Sequence, residues 1–106
     1  MRWYHPLAYF FGGLLLGNAV PHWTQGITGH PFQSPFASPP GEGLSSATVN
    51  VLWGLGNALG GYLLIARVGR FDGRNFRHLI PLFAGLLTIS LVCARHFGRF
   101  HGGLLP

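Results

Sequence analysis

The stretch Leu44–Ala66, LSSATVNVLWGLGNALGGYLLIA, decides the fold class, because its 23 residues contain no acidic or basic side chain. As a helix rising 1.5 Å per residue it would extend about 34 Å, enough to cross a hydrocarbon core of about 30 Å. Ala47, Asn50, Gly54, Asn57 and Gly61 recur in it at spacings of three and four, giving one narrow face of small and polar residues. Leu52, Leu55, Leu59 and Leu63 fall on the opposite side. In lipid, small residues let helix backbones approach and Asn side chains hydrogen-bond between helices. Helix packing is therefore the expected use of Asn50, Gly54, Asn57 and Gly61, with a solute path lined by the two Asn as the alternative.

Two further charge-free stretches flank it, Trp3–Val20 and Leu79–Ala94. They measure about 27 Å and about 24 Å as helices, so each requires local bilayer thinning, extension into flanking residues or shelter from neighbours. Pro6 and Pro81 are expected in first turns, where a missing N–H breaks no internal bond. Gly13 and Gly17 give the first stretch a G-x-x-x-G spacing, and Ala84 and Thr88 repeat that interval in the third. The expected fold is thus an all-α membrane protein, one integral domain over residues 1–106, with helices near 3–20, 44–66 and 79–95. A leader peptide cleaved after Ala19 is the alternative fate of the first stretch, weakened by the Trp, Tyr, His and Pro that follow Arg2.

Composition agrees with a bilayer environment. Only 8% of the residues are charged and 48% are hydrophobic, whereas soluble domains carry about 25% charged residues. The net charge of +5 comes from seven basic residues, all Arg, against Glu42 and Asp72. Such an excess in a soluble protein would suggest nucleic acid, but here the Arg residues lie between and beyond the apolar stretches, where lipid headgroups are the natural partner. Arg67, Arg70, Arg74 and Arg77 crowd the connection 67–78, while the connection 21–43 has no basic residue. Because basic short loops stay cytoplasmic, the chain is expected to be multi-pass in the cell membrane, N-terminus inside and C-terminus outside, with an outer tail over 96–106. The layout resembles that of short multi-spanning bacterial inner-membrane proteins, without the signature of a family of known activity.

The outer connection 21–43, with prolines at 21, 31, 35, 39 and 40, is expected to be non-helical: either a structured cap with Trp23, Phe32 and Phe36 at the membrane interface or a mobile linker. Ser45 or Ser46 is the expected N-cap of the second helix. Candidate chemistry concentrates in the same connection. His22, Trp23, Gln25 and His30, joined by His96 from the end of the third helix, could form an outer-surface site for a small molecule, a metal or haem if turns at Gly26 and Gly29 bring them together. No motif names a cofactor, and no metal site is specified. The single Cys93 excludes an intramolecular disulfide. No span contains an acid for proton coupling, and the outer side offers no carboxylate except Glu42 to complete a nucleophilic triad. The leading expectation is a non-enzymatic protein acting through helix contacts, as an accessory subunit or homo-oligomer beside other membrane helices; an outer His/Gln/Trp binding or catalytic site is the alternative.

Overall fold

The computed structural model describes residues 1–105. Its elements, in chain order, are α1 (Tyr4–Ile27), β1 (Phe32–Gln33), β2 (Leu44–Ser45), α2 (Ala47–Ala66) and α3 (Phe76–His101). The protein is mostly helical, and α2 and α3 are long and apolar enough to cross a membrane. Helix α1 lies between the other two and packs on both, while α2 and α3 make next to no contact with each other. The three helices therefore form a layer with α1 in the middle, and the overall extents are 41 × 33 × 22 Å.

A central helix must present small residues on two sides, and the adjacent Gly12 and Gly13 do so. A Cβ on Gly12 would stand 3.1 Å from the Gly61 carbonyl oxygen of α2, and one on Gly61 would stand 2.8 Å from the carbonyl oxygen of Gly12. A Cβ on Gly13 would collide with the Leu82 carbonyl of α3, and Gly85 of α3 is held as tightly against the Phe10 carbonyl. Gly17 faces Ile89 of α3 as well, so the Gly13/Gly17 pair serves the α1–α3 contact. On α2 the buried residues are Asn50, Gly54, Asn57 and Gly61, the small and polar face, with Gly54 against the backbone of Trp23. Leu52, Leu55, Leu59 and Leu63 are exposed.

Helix boundaries depart from the sequence expectation. Helix α1 does not stop at Val20 but runs through Pro21 to Ile27. Proline removes the donor to the Gly17 carbonyl, yet packing on both sides holds the helix together. What ends it is Gly29, whose φ of +79° accompanies a bond from the His30 N–H to the Gln25 carbonyl of 2.9 Å, the glycine stop of a Schellman motif. Gly26 is accordingly helical and not a turn; it sits against the Ala47 carbonyl of α2. Ser46 is the N-cap of α2, its hydroxyl accepting from the Val49 N–H at 3.2 Å.

Helix α3 also starts earlier, because Asn75 caps it by accepting from the Arg77 N–H at 2.9 Å. Pro81 consequently falls in the second turn, not the first. The helix continues past Arg95 to His101, placing His96, Arg99 and His101 on it and not in an outer tail. These extensions lengthen α1 to 24 residues and α3 to 26, about 36 Å and about 39 Å, so neither helix is short for a bilayer.

Candidate functional site

The two ends of the layer differ in chemistry. At one end the connection after α1 folds back as a cap, with β1 and β2 paired antiparallel, Phe32 opposite Ser45 and Gln33 opposite Leu44. Asn50, 0% exposed, is its organising side chain. Its Nδ2 donates to the carbonyls of Phe32 at 3.2 Å, Ser45 at 3.2 Å and Ser46 at 3.0 Å. That leaves Oδ1 turned to Nδ1 of His22 at 2.8 Å. An amide oxygen only accepts, so the network puts a proton on His22 Nδ1.

Around this pair the aromatic side chains close. Phe32 packs on Phe97 with ring centroids 4.5 Å apart, on His22 at 5.5 Å, and stacks on His101 at 5.4 Å. It is buried, which corrects its expected place at a lipid interface: Phe32 is the core of the cap. Phe36 stays exposed, its ring edge-on to Trp53 at 5.0 Å. The Trp53 indole N–H is buried without a hydrogen-bond partner among the described residues. His101 Nε2 and Gln33 Oε1 lie 2.9 Å apart, and His96 Nε2 donates to the Gly41 carbonyl at 2.6 Å. The cap is thereby fastened to the ends of all three helices.

The expected site residues do not converge. His22 is buried against Asn50, while Trp23 lines the groove between α1 and α2. Gln25 lines a different groove, between α1 and α3. His30 is exposed and bonds the Thr28 hydroxyl at 3.0 Å. His96 is committed to Gly41 and receives a 3.0 Å bond from Arg99 at Nδ1. Among the described residues no three His, Cys, Asp or Glu side chains form a cluster able to hold a metal ion. The helical run through Pro21 turns Trp23 away from His22 and Gln25, which lie three residues apart on one face, and it leaves His22 held by Asn50 while Gln25 borders the groove toward α3.

Sequence reasoning missed Asn18, which joins the three helices at mid-height: its Nδ2 donates to Asn57 Oδ1 at 3.1 Å, and Cys93 Sγ lies 3.7 Å from its Oδ1. Asn57 Nδ2 in turn donates to the Trp53 carbonyl at 2.8 Å. The signal was available, because Asn18 and His22 are four residues apart on one helix face and complement Asn57 and Asn50. With these bonds, both Asn residues of α2 are engaged within the chain.

The opposite end was also missed as a structured place. Tyr9, 0% exposed, donates its hydroxyl to the Val68 carbonyl at 3.0 Å, pinning the connection after α2 to α1. Phe71 and His78 pack on the Tyr9 ring, each at 5.1 Å. Asp72 N–H donates to His78 Nδ1 at 2.8 Å, and Arg2 N–H to His5 Nδ1 at 3.3 Å. Gly69 is required here: its φ is +66°, and a Cβ would lie 2.8 Å from the His5 ring and 2.9 Å from the Tyr9 hydroxyl.

No protein-family model matches the chain, and no similar protein was found among curated proteins or solved structures.

Proposed function

We propose that this chain is a three-span membrane protein that works by helix-helix contact, as an accessory subunit of a larger membrane assembly or as a homo-oligomer. In the proposed threading, Arg2 and the connection 67–75 lie on the cytoplasmic side, and the cap and the end of α3 lie outside. The charge count supports it: five Arg (2, 67, 70, 74, 77) on the inner side against two (95, 99) on the outer.

The observation that carries the reading is which small residues are left over. Gly12, Gly13, Gly54, Gly61 and Gly85 are used up within the layer. Ala84 and Thr88 of α3 are not; both are exposed, and it is Gly85 that meets α1. The Thr88 hydroxyl bonds its own helix at the Ala84 carbonyl, 2.7 Å away, so this outward stripe is smooth, compact and internally satisfied. On a different side of α3, Gly17, Pro21, Thr24, Ser90 and Cys93 border an open groove of 740 Å³ between α1 and α3. Small and weakly polar side chains facing outward suit another helix better than lipid tails, since close packing drives association in a bilayer.

Purification in a mild neutral detergent followed by native mass spectrometry tests the reading. A defined oligomer or a stoichiometric partner is expected, and Ala84→Leu with Thr88→Leu should dissociate it while leaving helicity unchanged. A monodisperse monomer without a partner contradicts it.

A further inference from the structure

We infer that the pocket bounded by the start of α1, the connection after α2 and the first turn of α3 binds the headgroup phosphate of an anionic phospholipid through Arg70, Arg77 and the Nε2–H groups of His5 and His78. This rests on the reading of the chain as membrane-embedded, and it goes beyond the helix-contact role.

The pocket has a volume of 410 Å³, and its lining includes His5, Gly69, Arg70, Asn75, Arg77 and His78. Its polar side chains present donors. Arginine has no acceptor. The Asn75 Oδ1 is already committed to the Arg77 N–H, leaving its amide N–H₂. Each imidazole accepts a backbone N–H at Nδ1, from Arg2 for His5 and from Asp72 for His78. A ring nitrogen that accepts carries no proton, so in both residues the proton is on Nε2. Two arginines and two histidines with a free Nε2–H therefore line one concavity.

No acidic residue is among those lining the pocket. Asp72 does not line the pocket; its Oδ1 accepts from the Arg74 N–H at 2.9 Å. Glu42 belongs to the cap at the other end. Helices α1 and α3 both begin at this end with no acidic residue in their first turns, so two positive helix termini add to the field. The walls are preformed by the Tyr9–Val68 bond and the tight seat of Gly69, which lowers the ordering cost of binding.

The surroundings select a lipid over a free anion. Trp3, Tyr4, Leu7, Phe76 and Ile80, all exposed, rim the same end. Aromatic residues at this level mark a membrane interface, and the apolar surface continuing along α1 and α3 would receive acyl chains while the phosphate occupies the basic pocket. Arg guanidinium and phosphate pair through short, charge-assisted bonds, and each basic residue near an anionic surface adds to retention.

The test uses the full chain in neutral detergent, supplied with equal amounts of phosphatidylglycerol and phosphatidylcholine and read by native mass spectrometry. Retention of phosphatidylglycerol should exceed that of phosphatidylcholine by about tenfold, equivalent to about 1.4 kcal/mol. The pair Arg70→Gln and Arg77→Gln should abolish the preference, Arg70→Lys with Arg77→Lys should preserve part of it, and Arg95→Gln with Arg99→Gln at the other end should leave it intact. No preference in the unaltered chain, or a preference that survives Arg70→Gln and Arg77→Gln, overturns the inference. Displacement of the lipid by millimolar inorganic phosphate overturns the lipid assignment in favour of a soluble anion. A chain recovered without detergent in the soluble fraction would instead remove the membrane reading itself, so the two failures are distinguishable.

Discussion

Asn50 is the residue on which the cap depends, since one side chain bonds His22 of α1, two carbonyls of the β-paired connection and the carbonyl of its own N-cap. Replacing it by Leu removes these bonds and leaves the carbonyls of Phe32 and Ser45 and the His22 N–H short of partners in a buried place. A buried polar group without a partner costs about 1–3 kcal/mol, while single interhelical bonds in membranes are worth about 1 kcal/mol. Asn50→Leu should therefore lower thermal stability in detergent by about 2 kcal/mol. Combining it with His22→Ala should cost less than the sum of the two changes by about 1 kcal/mol, the coupling of a direct pair; strict additivity would show that the bond contributes nothing. In the sequence, Asn50 stood out by its spacing from Gly54 and Asn57. Its partner was not legible, because Pro21 suggested a helix end one residue before His22 and turned a buried helical histidine into a loop ligand.

At the scale of the element, the charge-free runs located the helix interiors, and short-range devices set the ends. Asn75 moves the start of α3 to Phe76, and Gly29 moves the end of α1 to Ile27. Neither shift is visible in hydropathy, since caps and glycine stops act through one or two hydrogen bonds. The faces were more legible than the ends. Gly54 and Gly61 recur on the narrow face of α2 that meets α1, and their backbones approach Trp23 and Gly12 closely enough that a Cβ would stand 2.7 Å and 2.8 Å from backbone atoms. Gly54→Leu or Gly61→Leu should accordingly push α2 off α1 and lower the melting temperature in detergent markedly, whereas Leu59→Ala, on the exposed side, should change it little. Equal effects from the two kinds of substitution would contradict the assignment of faces. Ala84 and Thr88 show the limit of such patterns: spacing marks a packing face but does not say whether its partner lies within the chain.

For the whole molecule, the layer with α1 at its centre explains how that helix accommodates Asn18 and His22: both flanks cover it, and its polar groups pair with α2. The same layer puts the cap and the end of α3 at one end, joined through His96 to Gly41 and His101 to Gln33, and puts the Arg-rich connection at the other with His5 and Tyr9. Local sequence could not reveal this order, because which helix lies between the others depends on contacts far apart in the chain, such as Gly12 with Gly61 and Gly13 with Leu82. It also scattered the expected outer site, since Trp23 and Gln25 border different grooves. The central claim is that this layer spans a membrane three times with its basic end in the cytoplasm. The most direct test is a reporter that is active only in the cytoplasm, fused after Ser38 in the cap or after Asn75 in the basic connection. The account predicts silence after Ser38 and activity after Asn75; activity after Ser38 with silence after Asn75 would contradict it.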